Sequence, residues 1–112
     1  MKPLFKWNKG RQDSGYYKML LAYSKWLKFD FYLIKFPEGS EIKPHVDKVE
    51  SGKHFRLNIV IKKSKIGGIF NCDETIVNTS RIKFFRPDKF THSVSKIEKG
   101  NRYILSLGWI RN

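Results

Sequence analysis

His45 and Asp47 stand two residues apart, and His92 lies far along the chain. If all three serve one metal ion, the fold must bring two distant segments side by side. The local sequences are Pro44-His45-Val46-Asp47 and Thr91-His92-Ser93-Val94. In extended chain, residues i and i+2 point to the same side, so His45 and Asp47 reach one point while Val46 points away. Two imidazoles and one carboxylate suit a facial triad on non-haem Fe(II), with positions left open for a cosubstrate and O2. Arg102 follows the second histidine by ten residues, in Gly100-Asn101-Arg102-Tyr103. Its planar fork suits the far carboxylate of a 2-oxo acid. His-x-Asp alone is common by chance. The distal histidine, the arginine after it and the extended context of each make the pattern specific, against the plainer reading of three unrelated polar side chains.

The flanking residues supply the strands that such a site needs. Residues 54–61 alternate, with Leu57, Ile59 and Ile61 on one face and Arg56, Asn58 and Val60 on the other. Residues 102–109 alternate in the same way: Arg102, Ile104 and Ser106 oppose Tyr103, Leu105, Leu107 and Trp109. A charge and an amide on the inner face of a central strand must be solvated or bound to a ligand. If Arg56, Asn58 and Arg102 face a pocket, then Leu57, Ile59, Ile61, Leu105, Leu107 and Trp109 face outward. Water does not tolerate so large an apolar face. Either residues 1–28, which include Phe5, Trp7, Tyr16, Tyr17 and Trp26, cover it, or a second copy of the chain does. Residues 16–23 fit helix or strand by periodicity, with strand favoured; residues 29–36 read as a strand, and residues 41–47 carry the first ligands on an extended segment. Pro37-Glu38-Gly39-Ser40, Glu50-Ser51-Gly52-Lys53, Arg86-Pro87-Asp88 and Glu98-Lys99-Gly100-Asn101 are turns. Many short strands separated by turns make a barrel or a sandwich. A chain of 112 residues makes one such domain.

Cys72 is the sole cysteine, so no internal disulfide forms, and a reducing cytoplasm is the expected compartment. The thiol has no second cysteine to join in a zinc site and is expected to be buried or half-buried. No run approaches the roughly 20 apolar residues of a membrane span, and the first residues lack an apolar signal core. Lys and Arg number 23 against 10 Asp and Glu, a net charge of +13. Such a field favours an acidic or polyanionic partner, nucleic acid included. The competing reading is lysine alternating along solvated strand faces, as in residues 29–35, or biased composition. His54, nine residues after His45, reads as a solvated histidine.

The run Pro44-His45-Val46-Asp47, Phe55-Arg56-Leu57-Asn58, Gly67-Gly68-Ile69-Phe70, Phe85-Arg86-Pro87-Asp88, His92-Ser93-Val94 and Gly100-Asn101-Arg102 resembles the 2-oxoglutarate and Fe(II)-dependent oxygenases. The similarity spans about residues 29–110. The Phe55-to-Ile61 and Asp88-to-Val94 segments resemble the aspartyl/asparaginyl β-hydroxylase branch. Gly67-Gly68 and Gly100-Asn101-Arg102-Tyr103 also resemble the prolyl hydroxylase branch. The resemblance implies a mainly β fold, the double-stranded β-helix or cupin-like jelly roll, over residues 29–110, with residues 1–28 as a covering extension. It implies that His45, Asp47 and His92 bind iron and that Arg102 pairs with the tail carboxylate of 2-oxoglutarate. Arg56 and Asn58 would line the cosubstrate pocket, and Tyr32 would offer its hydroxyl or serve as an amphipathic core aromatic. Two departures stand out in the aspartyl branch. Asn58 replaces its usual histidine, and Asp47 is present where that branch often lacks a metal carboxylate. The nucleic-acid demethylase branch carries a second arginine six residues after the first, and that position here is Gly108.

The implied activity is hydroxylation of an unactivated C–H, with a peptide or protein side chain as substrate. The same chemistry on a nucleobase or nucleotide is the alternative that the charge favours. A basic binding module with a vestigial site is the non-enzymatic reading, and the complete ligand set speaks against it. A homodimer is a further expectation, since so short a chain has little room for a lid.

Overall fold

The computed structural model describes residues 3–10 and 14–112. Twelve strands form among them: β1 (Trp7–Lys9), β2 (Tyr17–Ser24), β3 (Phe29–Phe36), β4 (Ile42–His45), β5 (Lys53–Lys62), β6 (Ile66–Gly67), β7 (Phe70–Cys72), β8 (Val77–Asn78), β9 (Ile82–Phe85), β10 (His92–Val94), β11 (Ile97–Lys99) and β12 (Arg102–Arg111). They pair into a seven-stranded sheet in the order β1-β2-β3-β12-β5-β9-β8, a three-stranded sheet β4-β10-β7 and a two-stranded ribbon β11-β6. All pairings are antiparallel. Side chains from the seven-stranded and three-stranded sheets line one cavity between them. This is the expected jelly roll. No helix of the described residues is long and apolar enough to cross a membrane.

Strand β12 is central, and its burial alternates strictly. Arg102, Ile104, Ser106 and Gly108 are buried, while Tyr103, Leu105, Leu107 and Trp109 are only half-buried. The side facing the cavity is therefore the more polar one, as the pattern of residues 102–109 implies. On the outer face, cross-strand rows such as Met19-Leu33-Leu105-Ile59-Ile82 run from β2 to β9. Phe55, Phe84 and Trp109 pack together there, with ring centroids 5.6–6.1 Å apart.

Among the described residues, the expected cover over that face does not form. Strands β1 and β2 lengthen the same sheet at its β3 edge instead of lying across it. Trp26 is 87% exposed, and Phe5 and Trp7 are exposed too. Ile59 and Ile61 remain exposed on the outer face. The reason lies in β2. Its residues pair with β3 along its length, with one irregularity between Leu20 and Ala22, and the side chains of Leu20 and of Tyr16 just before the strand are buried. Residues 1, 2 and 11–13 of the expected covering segment lie outside the described residues.

The apolar core sits at one end of the cavity, where Tyr16, Phe36, Val60, Ile97 and Ile104 cluster with Ile34 and Ile42 against them. Tyr16 stacks on Phe36 with centroids 5.2 Å apart. Backbone bonds Gly39 N–H to Ile97 O and Ile97 N–H to Ser40 O, 2.8 and 2.9 Å, tie the β3–β4 turn to β11.

Candidate metal centre

Antiparallel pairing of β4 with β10 puts His45 directly opposite His92. Their ring centroids lie 4.3 Å apart. Strand β4 ends at His45, so Asp47 lies beyond the strand and not within it, as residues 41–47 were expected to place it. Its position is set by its own backbone, whose N–H donates to Pro87 O at 2.7 Å. The outcome is nonetheless convergent: one donor atom from each of His45, Asp47 and His92 lies within 4.8 Å of the others.

The two imidazoles are held alike. His45 Nδ1 is 2.8 Å from Lys43 O, and His92 Nδ1 is 3.0 Å from Phe90 O. A carbonyl only accepts, so Nδ1 carries the proton in each ring and Nε2 keeps its lone pair. Both Nε2 atoms face the Asp47 carboxylate, His45 at 3.3 Å from Oδ1 and His92 at 3.4 Å from Oδ2. Backbone carbonyls that fix the tautomer of ligating histidines are a standing feature of metal sites. The donor set therefore fits a divalent transition ion of the iron class. Cys72 pairs in register with His92, but its thiol donates to Glu74 O and takes no part in the cluster. Burial raises the Cys72 thiol above its usual range.

The triad opens onto a cavity of about 260 Å³ that also receives Tyr32, Arg56, Asn58 and Arg102. Arg102 is 5% exposed, and its Nη1 makes no hydrogen bond. The guanidinium packs over the Phe36 ring, with its carbon 5.6 Å from the ring centroid. Burial pulls the guanidinium below its ordinary value, yet an arginine stays charged. Asn58 Oδ1 is a second buried polar atom without a partner in the same cavity. Turned over, the same amide presents N–H donors to an anion. Tyr32 lines the wall with Lys18 Nζ 5.1 Å from its ring, and burial raises its hydroxyl pKa, keeping it a donor.

Arg56 lines the cavity with its charge already matched. Its guanidinium donates to Asp30 Oδ1 and Ser106 Oγ, both at 2.7 Å. Asp30, Gly108 and Arg56 form one cross-strand row, so Arg56 must reach across β12 to meet Asp30. Gly108 permits this: a Cβ there would stand 2.1 Å from Arg56 Nη2. The guanidinium of Arg56 thus fills the space over position 108, where the sequence lacks a second arginine.

His54 is not the solvated histidine expected. It lines the cavity half-buried, with Nε2 3.3 Å from Arg56 Nη2. Burial, then the Arg56 charge, depresses its pKa. Its backbone N–H supports Asp88: burial would raise that carboxyl, but Arg86 and this N–H hold it low. Asp30 is the site residue that the sequence reading did not single out; His54, Ser106 and Gly108 were named there without a role in the site.

Neither a family model nor a curated protein matches the sequence. Solved structures do match. KdgF from Halomonas sp. superposes with a TM-score of 0.63 at 16% identity, over 96% of this chain and 89% of that one. The cupin domain of Schizosaccharomyces pombe Cnp3 gives 0.67 at 12% identity, over 95% and 69%. The viral collagen prolyl hydroxylase of Paramecium bursaria Chlorella virus-1, in its 2-oxoglutarate complex, gives 0.57 at 18% identity, over 75% of this chain and 59% of that one. At these identities the likeness concerns architecture, and it establishes that the chain has the cupin-like jelly-roll fold.

Proposed function

We propose that the protein is a 2-oxoglutarate and Fe(II)-dependent dioxygenase that hydroxylates an unactivated C–H, on a peptide or protein side chain. The observation that carries this reading is the unpartnered, buried Arg102 guanidinium in the same cavity as the His45, Asp47 and His92 cluster. A buried charge without a counter-ion is costly, and a carboxylate ligand removes that cost. The 2-oxoglutarate complex of the viral prolyl hydroxylase, a chain of the same architecture, supports it too. Bound Fe(II) with 2-oxoglutarate supplies O2 activation, the cosubstrate leaving as succinate and CO2. The chain's own part is orientation. His45 and His92 present Nε2, Asp47 adds charge, and Arg102 aligns the distal carboxylate, with Tyr32 and Asn58 along the wall. Arg56, neutralised by Asp30, shapes the cavity near the metal end.

The test is succinate formation from 2-oxoglutarate by the iron-loaded protein, with candidate peptides screened in turn. Succinate production lost in Asp47→Ala is the expected result; iron-loaded protein that neither binds 2-oxoglutarate nor forms succinate overturns the reading. The net charge of +13 favours a second substrate class, a nucleobase or nucleotide. Polynucleotide binding in which the logarithm of the affinity falls linearly with the logarithm of salt concentration separates that class from a neutral peptide.

A further inference from the structure

A second cavity, of about 210 Å³, shares Arg102 with the first. Its wall comes from the β5–β6 loop, the Gly67-Gly68 turn, Ser80 and β9. Three cations line it, Lys63, Lys83 and Arg102, and no carboxylate does. Lys63 is exposed at the rim, Lys83 is half-buried and Arg102 is buried. None of the three joins an ion pair among the described residues. Lys83 Nζ donates to Asn78 Oδ1 and Thr79 O, which leaves one of its three N–H groups free of those bonds. Burial, then the nearby Arg102 and Lys63 charges, pulls the Lys83 ammonium below its ordinary range.

The loop that closes the cavity is built to fixed dimensions. Gly67 and Gly68 both have positive φ. A Cβ on Gly68 would stand 2.5 Å from Ile97 Cδ1, 2.6 Å from Ser64 Oγ and 3.3 Å from Arg102 Cδ. Ser64 Oγ donates to Gly67 O at 2.7 Å and locks the turn. The chain therefore packs its backbone close around a cluster of like charges. A carboxylate reaching Arg102 from the metal cavity neutralises one of the three and leaves two lysines unmatched.

We propose that this second cavity binds a compact oxyanion, a phosphate or carboxylate group, between Lys63, Lys83 and Arg102. The site is distinct from the metal cavity, whose lining holds neither lysine. Several cations lining one cavity are what phosphate-binding clusters use, and the ammonium suits a phosphate as a point charge. An occupant would lower the repulsion among the three cations, so the ligand stabilises the folded state by mass action.

The experiment titrates the full-length, metal-free protein with inorganic phosphate, and in a separate arm with acetate, at constant ionic strength in chloride. Calorimetry reads the stoichiometry. The expected result is saturable one-to-one binding of at least one anion, the tighter of the two naming the class. Lys83→Gln and Lys63→Gln should each weaken it at least fivefold, while Lys25→Gln, on an exposed turn, should leave it unchanged. Arg102 lines both cavities, so the two lysine variants, which leave the lining of the metal cavity intact, separate this site from the oxygenase reading. Heat that never saturates, or lysine variants that both behave like Lys25→Gln, would overturn the proposal.

Discussion

Replacing Arg102 by methionine tests the logic of the site more sharply than deleting a metal ligand. The guanidinium is 5% exposed, leaves Nη1 without a hydrogen bond and packs on Phe36. An unsatisfied buried donor costs about 1–3 kcal/mol, and more when charged. Methionine keeps the apolar stem against Phe36 and removes that cost. We therefore expect Arg102→Met to be more stable than the wild type by about 1–3 kcal/mol in an anion-free buffer. At roughly 2.1 cal/mol/K of unfolding entropy per residue, a chain of 112 residues gains about 4 °C in Tm per kcal/mol. The variant should then melt about 4–12 °C higher. Saturating ligand reverses the order. A cosubstrate at about 1,000 times its Kd adds roughly 4 kcal/mol to the wild type and nothing to the variant. The assay is a pair of thermal melts on anaerobic Fe(II)-loaded protein, without and with 2-oxoglutarate. Arg102→Lys completes it, since it keeps the charge but loses the fork, and should bind the cosubstrate more weakly with the metal site intact. An Arg102→Met protein that melts lower than the wild type without ligand refutes the reasoning, because the guanidinium would then be a structural support.

Asp47→Ala leaves two neutral imidazoles and should weaken Fe(II) binding by more than the roughly 10–100-fold cost of losing a group that merely orients a ligand; anaerobic equilibrium dialysis reads this, and undiminished affinity would discount the triad. Gly108→Ala places a Cβ on the Arg56 guanidinium and should cost about 1–3 kcal/mol by breaking the Asp30 pair. That cost should shrink in an Arg56→Met background, as a double-mutant cycle by urea unfolding would register. His54 has a folded pKa below its unfolded value of about 6.5, so its neutral form favours folding. Stability of the metal-free protein should be full above that pH and fall as pH drops below it, with a shallower fall in His54→Gln. Deleting residues 1–28 removes Tyr16 and Leu20 from the interior and bares the β3 edge, so the product should aggregate or lose cooperative melting; a soluble, cooperatively folding truncation would show β2 to be dispensable.

What the sequence revealed here depended on the range of the interaction. Strands 29–36, 54–61 and 102–109 declare themselves through alternation, a property of neighbours along the chain. The polar sides of residues 54–61 and 102–109 face the cavity because apolar side chains fill the other faces of those two strands. The convergence of His45, Asp47 and His92 was legible because His45-x-Asp47 is local and only one distal histidine had to join it. Asp30 was not legible. Within Phe29-Asp30-Phe31 it reads as one polar residue on a solvated face, and only the register Asp30↔Gly108↔Arg56 turns it into a counter-ion. His54 was misread for the same reason: its surroundings come from Arg56 and Asp88, which the turn at residues 86–88 delivers. The role of residues 1–28 turned on a choice between pairing at an edge and packing on a face. Both bury apolar side chains, and composition does not distinguish them.

The placement of Arg102 explains why the polar interior does not undo the fold. Its residue opens β12, immediately after a turn whose Gly100 N–H donates to Glu38 Oε2 at 2.8 Å. Two residues on, Ile104 enters the apolar cluster with Phe36, Val60 and Ile97. The charge is thus anchored at both ends of a short, well-packed segment, and the surrounding core fixes its rotamer without neutralising it. Further along the same face, Ser106 and Gly108 hand the interior over to Arg56, whose charge is matched by Asp30. One arginine is compensated from within and one is left open. A ligand's anion has a reason to prefer Arg102 over Arg56, and under the proposed function that difference would orient the cosubstrate between metal and guanidinium.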